Sequence, residues 1–125
     1  MPEPIEIVQQ FCDALVTPDE IEASLSLLSD DCVYHNIPVD PVVGIDAIRD
    51  FVANFAAGVE RVTFATNAIA ATGSTVLTER VDTFLYPGGK RIDLPVMGTF
   101  EVDGDGRISA WRDYFDLNQF LSQMG

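Results

Sequence analysis

Apolar residues recur at helical spacing through the first half of the chain and in strict alternation through the second. Ile5, Val8, Phe11, Cys12 and Leu15 mark one face of a helix from Pro4 to Val16. Thr17-Pro18-Asp19-Glu20 then restarts a helix, with Thr17 as N-cap, Pro18 at the first position and Glu20 reaching back, and the pattern carries it to about Ser29. Cys32 to Asn36 reads as a short strand ended by Pro38 and Pro41. A third helix spans Asp46 to Ala57, with Ile48, Phe51, Val52 and Phe55 inward and Gly58 as its stop. Four strands follow, roughly Glu60 to Ala71, Thr75 to Tyr86, Arg91 to Val102 and Ile108 to Asp116. Asp116 caps a last short helix bearing Leu117, Phe120 and Leu121. Helices followed by a run of long antiparallel strands predict an α+β domain, its twisted sheet curling into a cup around helices on the concave side. The 125 residues are expected to form one domain.

The alternation carries candidate chemistry. In Glu79-Arg80-Val81-Asp82, Arg80 and Asp82 share a face with Val76 and Phe84; in Trp111-Arg112-Asp113-Tyr114-Phe115-Asp116, Asp113 shares a face with Trp111 and Phe115. A guanidinium keeps its charge, so two carboxylates beside it invite one to ionise and the other to hold its proton. That is the outline of a paired acid and base. The turns extend the argument. Reading Gly88-Gly89 as a two-residue hairpin loop puts Arg80 opposite Met97 and Asp82 opposite Pro95. Two registers are open for Asp103-Gly104-Asp105-Gly106-Arg107. A three-residue loop with Gly106 left-handed is preferred, because it sets Asp113 opposite Met97 and groups Trp111, Asp113 and Phe115 with Met97 and Pro95. Arg80, Met97 and Asp113 then form one row, the outer Cα atoms ~10 Å apart and Asp82 ~7 Å along from Arg80. A two-residue loop would instead put Arg112 opposite Met97 and break that grouping.

Charge and composition mainly exclude. A formal net charge of −13, with seven basic residues, repels nucleic acid and anionic lipid; a neutral small ligand suits the chain better. The start, Met1-Pro2-Glu3-Pro4, has no basic segment followed by an apolar one, and no run approaches membrane-spanning length, so cytoplasmic localisation is expected. Cys12 and Cys32 have no metal or CxxC spacing and read as core thiols. There is no metal-ligand set, no phosphate-binding glycine loop and no Ser/His or Cys/His pairing, so no metal or cofactor is expected. The other face of the long strands also looks apolar, with Leu77, Val81, Leu85, Ile92, Leu94, Val96, Phe100 and Val102. A homodimer through the convex face of the sheet is the expected remedy.

Tyr34-x-Asn36-x-Pro38, Glu79-Arg80-Val81-Asp82 and Trp111-Arg112-Asp113-Tyr114-Phe115-Asp116 together resemble the limonene-1,2-epoxide hydrolases. Those enzymes use the cone-shaped fold shared with nuclear transport factor 2, the SnoaL-like proteins and ketosteroid isomerase. The likeness runs from about Ile5 to Phe120, and the gaps between motifs match; at both ends this chain is shorter than the family pattern. The resemblance implies an α+β cone, a curved antiparallel-rich mixed sheet with helices on its concave side, that adds water to an epoxide in one step without a covalent intermediate. It implies Asp113 as general base on a water also held by Tyr34 and Asn36, Asp82 as general acid toward the epoxide oxygen, and Arg80 bridging the two. Apolar residues on the faces assigned inward, Val16, Phe55, Phe84, Pro95, Met97, Phe115 and Phe120, are then the expected pocket lining, suited to a small neutral lipophilic epoxide.

Other charged and aromatic groups have plainer readings. Asp116 points away from Asp113 and is explained as a helix cap; Arg112 and Glu79 lie on the opposite face and pair structurally or at a dimer seam. His35 faces away from Tyr34 and Asn36 and reads as structural, as do Asp31, Asp40, Asp46 and Asp50 in turns and caps and Trp111 in the core. Two other functions of the same fold stay open: a ketosteroid-isomerase-like or polyketide-cyclase-like enzyme, and a non-catalytic ligand-binding domain. The bridging Arg80 argues against the isomerase, whose base works with a Tyr and a protonated Asp.

Overall fold

Every long strand of this protein lies in one curved, open sheet, and the helices pack on one side of it. A computed structural model describes residues 2–14, 17 and 20–124. In chain order the elements are α1 (Pro4–Ala14), α2 (Ile21–Leu25), β1 (Leu28–Asn36), β2 (Val42–Val43), α3 (Ile45–Ala56), β3 (Arg61–Thr72), β4 (Thr75–Leu85), β5 (Arg91–Val102), β6 (Ile108–Tyr114) and α4 (Leu117–Met124). The strand order is β2-β1-β6-β5-β4-β3, antiparallel throughout except that β1 runs parallel to β6. This is the expected α+β architecture. The parallel pair is what sets Tyr34 beside Trp111 and Asn36 beside Asp113.

α1 lies over β3 and β4 and buries Ile7, Val8, Phe11 and Cys12. Phe11 meets the edge of Trp111 at a centroid distance of 4.8 Å and that of Phe100 at 5.9 Å. With Leu28, Val76, Val102 and Ile108 these residues form one apolar cluster, while Val59, Phe84, Ile92, Leu94 and Val96 form a second. Between them on β4 sit Thr78, Arg80 and Asp82, all buried. A band of polar side chains therefore divides the core in two. α4 lies against β5, and its Gln123 both accepts from the Asp93 backbone N–H at 3.1 Å and donates to the Asp93 carbonyl at 2.9 Å. It thus satisfies β5 beyond the point where the β6 pairing stops at Met97.

Several boundaries and both registers differ from the sequence reading. α2 ends at Leu25 instead of near Ser29, and β1 begins at Leu28 instead of Cys32, because Leu28 pairs with Ile108 and is buried there. Glu20, not Thr17, is the N-cap of α2, and it makes no side-chain cap bond. The Thr17 hydroxyl donates to the Glu20 carboxylate at 3.0 Å, so neither side chain closes the expected capping box onto backbone N–H groups; Pro18 and Asp19 lie outside the described residues. Asp116 caps α4 through a 2.9 Å bond from the Asn118 N–H.

The β4–β5 loop has three residues, Pro87-Gly88-Gly89, with Tyr86 donating to the Lys90 carbonyl at 2.8 Å. Proline has no N–H with which to close the pair assumed for Pro87 and Lys90. The register moves by one: Arg80 faces Val96 and Asp82 faces Leu94. Pro95 and Met97 therefore lie on the convex face, Met97 being 52% exposed, and not in the pocket where they were expected. By the same step Ile92, Leu94, Val96, Phe100 and Val102 are buried within the core instead of on the outer face, which keeps Leu77, Val81 and Leu85.

The β5–β6 loop is the expected three-residue type, with Gly106 at φ 79°. A bulge beyond it, between the Val102–Ile108 and Glu101–Ala110 pairs, moves Asp113 opposite Gly98 instead of Met97. The two one-residue differences cancel in parity, so Asp113 still shares a face with Arg80 and Asp82. The row across the strands is Thr78–Gly98–Asp113, and the arginine reaches Asp113 on the diagonal.

Because Phe11 is fully buried against both Trp111 and Phe100, Phe11→Ala is expected to cost about 3–5 kcal/mol of stability. Urea unfolding followed by Trp111 fluorescence measures this directly.

Candidate active site

An apolar cavity of about 230 Å³ opens on the concave side of the sheet. Its apolar walls include Phe51, Phe55, Phe64, Phe84, Leu94, Val96, Trp111, Phe115 and Phe120, and its polar groups include Tyr34, Asn36, Asp82 and Asp113. Of the expected lining, Phe55, Phe84, Phe115 and Phe120 are present, Pro95 and Met97 are not, and Val16 lies outside the described residues. Leu94 and Val96 occupy the wall expected of Pro95 and Met97. Phe55, Phe84 and Phe120 pack together at one end, with centroid separations of 5.3 to 6.3 Å.

Arg80 lies behind the two carboxylates and is 1% exposed. Its Nε donates to Asp82 Oδ1 at 3.0 Å and its Nη2 to Asp82 Oδ2 at 2.9 Å, a bidentate pair. The same Nη2 lies 3.1 Å from Asp113 Oδ2, so one guanidinium joins both acids. Nη1 donates to Thr78 Oγ1 at 3.0 Å. The ring of Phe64 covers the guanidinium at 4.5 Å from its centroid. Asp113 Oδ2 also accepts from the Trp111 indole N–H at 3.0 Å, whereas Asp113 Oδ1 is buried without a hydrogen-bond partner among the described residues. Tyr34 stacks on Trp111 at 3.7 Å between centroids, which holds the phenol beside Asp113.

Burial sets the electrostatics. It pushes Asp82 up to about 6, against the opposing pull of its bonds to Arg80 and with a further push from Asp113. Asp113 is raised by burial too, while Arg80 and the Trp111 N–H oppose the rise. Burial alone would lower the Arg80 guanidinium; Asp113 and Asp82 outweigh it and leave the group raised and charged. Burial, then the Asp113 charge, raises the Tyr34 phenol, so it remains a donor. Cys12 of α1, close enough to feel all three charged groups, is pushed up to about 12 by burial and stays a thiol. Two carboxyls at the wall of an apolar cavity, joined by one charged guanidinium behind them, thus titrate as a coupled pair.

Sequence reasoning passed over three contributors. Trp111 is a core residue, as read, and its N–H in addition orients Asp113. Thr78 shares the inward parity of Arg80, and Gly98 is a glycine inside a strand, a known mark of close backbone approach. The groups set aside do lie elsewhere: Arg112 pairs with Glu101 at 2.7 Å instead of with Glu79, and His35 Nε2 lies 3.0 Å from the Val39 carbonyl.

The family model described as the limonene-1,2-epoxide hydrolase catalytic domain matches residues 2–125. The chain is 38% identical over 112 residues to Epoxide hydrolase EphG of Mycobacterium tuberculosis, covering 88% of this chain and 71% of that protein. It also superposes, with a TM-score of 0.82 and 33% identity over 96% of this chain and 83% of the other, on the solved structure of a limonene-epoxide-hydrolase-like enzyme from Mycobacterium tuberculosis. A putative polyketide cyclase from Xanthomonas campestris matches with a TM-score of 0.85 at 22% identity over 98% of this chain and 96% of that one, a likeness of fold alone. An Arg-bridged pair of buried carboxyls in an apolar cavity on this cone agrees with the family match, and the chain belongs to the limonene-1,2-epoxide hydrolase family.

Proposed function

We propose that this protein adds water to a small lipophilic epoxide, giving a vicinal diol in one step with no covalent intermediate and no cofactor. The observation that carries the proposal is the pair Asp82 and Asp113, joined by Arg80 at 2.9 and 3.1 Å and facing an apolar cavity. One guanidinium balances one carboxylate, so the buried set is neutral when a single proton is shared between the two acids.

In this mechanism Asp113 is the base and Asp82 the acid. Asn36 and Tyr34 stand on β1 beside Asp113 and Trp111, a position that supports their holding the same water as Asp113. Asn36 accepts one water hydrogen, Tyr34 donates to the water oxygen, and the remaining lone pair attacks an epoxide carbon. Asp113 takes the other water proton as the C–O bond breaks, and Asp82 gives its proton to the departing oxygen. The products are a diol, a protonated Asp113 and an ionised Asp82; return of one proton from Asp113 to Asp82 restores the starting state. Protonation during ring opening spares the formation of a free alkoxide, and each positioned acid or base contributes roughly 10²–10⁴-fold. The aromatic and aliphatic walls bind the hydrocarbon body of the substrate and exclude bulk water.

Leu77, Met97 and Tyr114, each about half exposed on the convex face, support association of two copies through that face, fewer residues than the pattern suggested but contiguous across β4, β5 and β6. Among the described residues no helix is long and apolar enough to cross a membrane. Two free buried cysteines fit a reducing compartment, and the cytoplasm is the proposed location.

Asp113→Asn, Asp82→Asn and Arg80→Lys are each expected to lower kcat/KM for cyclohexene oxide by roughly 10²–10⁴-fold with the fold retained by circular dichroism. Near-wild-type turnover in Asp113→Asn would refute the mechanism. Tyr34→Phe and Asn36→Ala are expected to cost about tenfold each, because the water keeps its other partners.

The pH dependence has a defined sign. Activity requires a proton on Asp82, whose value is raised to about 6, so the rate falls on the alkaline side as that proton is lost and on the acid side as the base is protonated. The same raised value favours the folded state below the ordinary carboxyl range and withdraws that stability as pH rises through about 6. The stability of wild type minus that of Asp82→Asn, measured by urea unfolding between pH 4 and 8, is expected to decline over that interval.

A further inference from the structure

We propose that Thr78 and Gly98 are positioning residues for this reaction: together they form the cradle that fixes the Arg80 guanidinium where it can bond Asp82 and Asp113 at once. The inference rests on the catalytic reading above. Neither residue lines the cavity; both act through Arg80, which lies behind the wall, on Asp82 and Asp113, which do line it.

The hydrogen-bond chain has a direction. The Thr78 hydroxyl donates to the Gly98 carbonyl at 3.2 Å, so its lone pairs are left to accept from Arg80 Nη1 at 3.0 Å. Thr78 is 1% exposed, and its hydroxyl therefore has no competing contact with bulk water. With Nε and Nη2 on the carboxylates, Thr78 anchors the third nitrogen of the fork. The backbone of β5 in this way sets the orientation of a side chain on β4.

Gly98 supplies the space. It faces Thr78 on one side and Asp113 on the other. A Cβ there would stand 2.2 Å from Arg80 Nη1, 2.8 Å from Asp113 Oδ1 and 3.0 Å from Thr78 Oγ1. All three atoms belong to the catalytic band. The backbone of Gly98 is not in the left-handed region that favours glycine, so room for the guanidinium, not chain conformation, explains its presence in a central strand.

The titratable groups around Arg80 are Asp82 on β4, Asp113 on β6, Cys12 on α1 and, farther off, Tyr34 on β1. Arg80 holds both carboxyls below the level that burial alone would set. Loosening the guanidinium therefore moves both carboxyl titrations to higher pH. A role confined to packing would not move them.

The test compares wild type, Thr78→Val, Thr78→Ser and Gly98→Ala. The carboxyl titrations of Asp82 and Asp113 are followed by ¹³C NMR, with kcat and KM for cyclohexene oxide measured on the same samples. Thr78→Val keeps the shape and removes the acceptor. It is expected to lower kcat by about ten- to a hundredfold with KM little changed, the loss associated with one unsatisfied buried donor. Its carboxyl titrations are expected to rise by about half a pH unit or more. Thr78→Ser restores the hydroxyl and is expected to return both readouts toward wild type. Gly98→Ala is expected to lose more activity, and the Thr78 pair decides the question if that variant does not fold.

Folded Thr78→Val with wild-type titrations and kcat would overturn the cradle, as would equal impairment of Val and Ser. The NMR readout needs no turnover. Wild-type protein that opens no epoxide, together with a titration shift in Thr78→Val, would sink the catalytic reading and leave the cradle standing.

Discussion

A permanently charged guanidinium buried within the core is the constraint on which this molecule is organised. Arg80 is 1% exposed, and burying such a charge without partners would cost several kcal/mol. Its partners come from separate strands: Asp82 and Thr78 from β4, and Asp113 from β6. Satisfying the charge therefore requires β4, β5 and β6 to be in one register, and the site is built by the same interactions that remove the penalty. The arrangement gives one positive charge and two acids, both raised by burial and both held back by the guanidinium. A site that shares a proton between two carboxyls follows from that balance.

The apolar parts of the fold keep this band in place. The two core clusters lie on either side of it along β4 and β5, so the polar groups are enclosed without being at the centre of either. Phe11 packs edge-on against Trp111, Trp111 donates to Asp113, and Tyr34 stacks on the same indole. The aromatic packing thus reaches the Asp113 carboxyl through one side chain. The parallel β1–β6 pair adds Asn36 and Tyr34 to the same end of the cavity. Proteins with this cone and little sequence identity include putative polyketide cyclases, so the shape of the sheet does not determine the chemistry. In the proposed mechanism the residues across the band do.

Much of this was legible in the sequence. Alternation alone put Arg80 with Asp82 and Asp113 with Trp111, and the helical spacing of Ile5, Val8, Phe11 and Cys12 located the face of α1 that covers them. Absolute register was less legible, because it depends on loop details. Pro87 lacks the N–H needed for a two-residue turn, and a bulge near Ser109 leaves no mark in the local pattern. The first of these put Pro95 and Met97 on the wrong face and made the convex surface look more apolar than it is. The second restored the parity of Asp113, which is why the grouping of the charged residues was right although the row of residues was not. Thr78 and Gly98 were overlooked for a different reason. A threonine and a glycine carry no titratable group, and their importance is visible only once the path of the Arg80 side chain is known.

The central claim is that water, and not a carboxylate, forms the new bond. A single-turnover reaction of excess protein with cyclohexene oxide in H₂¹⁸O tests it, with the diol analysed by mass spectrometry. The account predicts one solvent ¹⁸O in the diol from the first turnover. A first-turnover diol carrying ¹⁶O, with the label appearing instead in the Asp82 or Asp113 carboxyl, would mean a covalent ester intermediate and would contradict it.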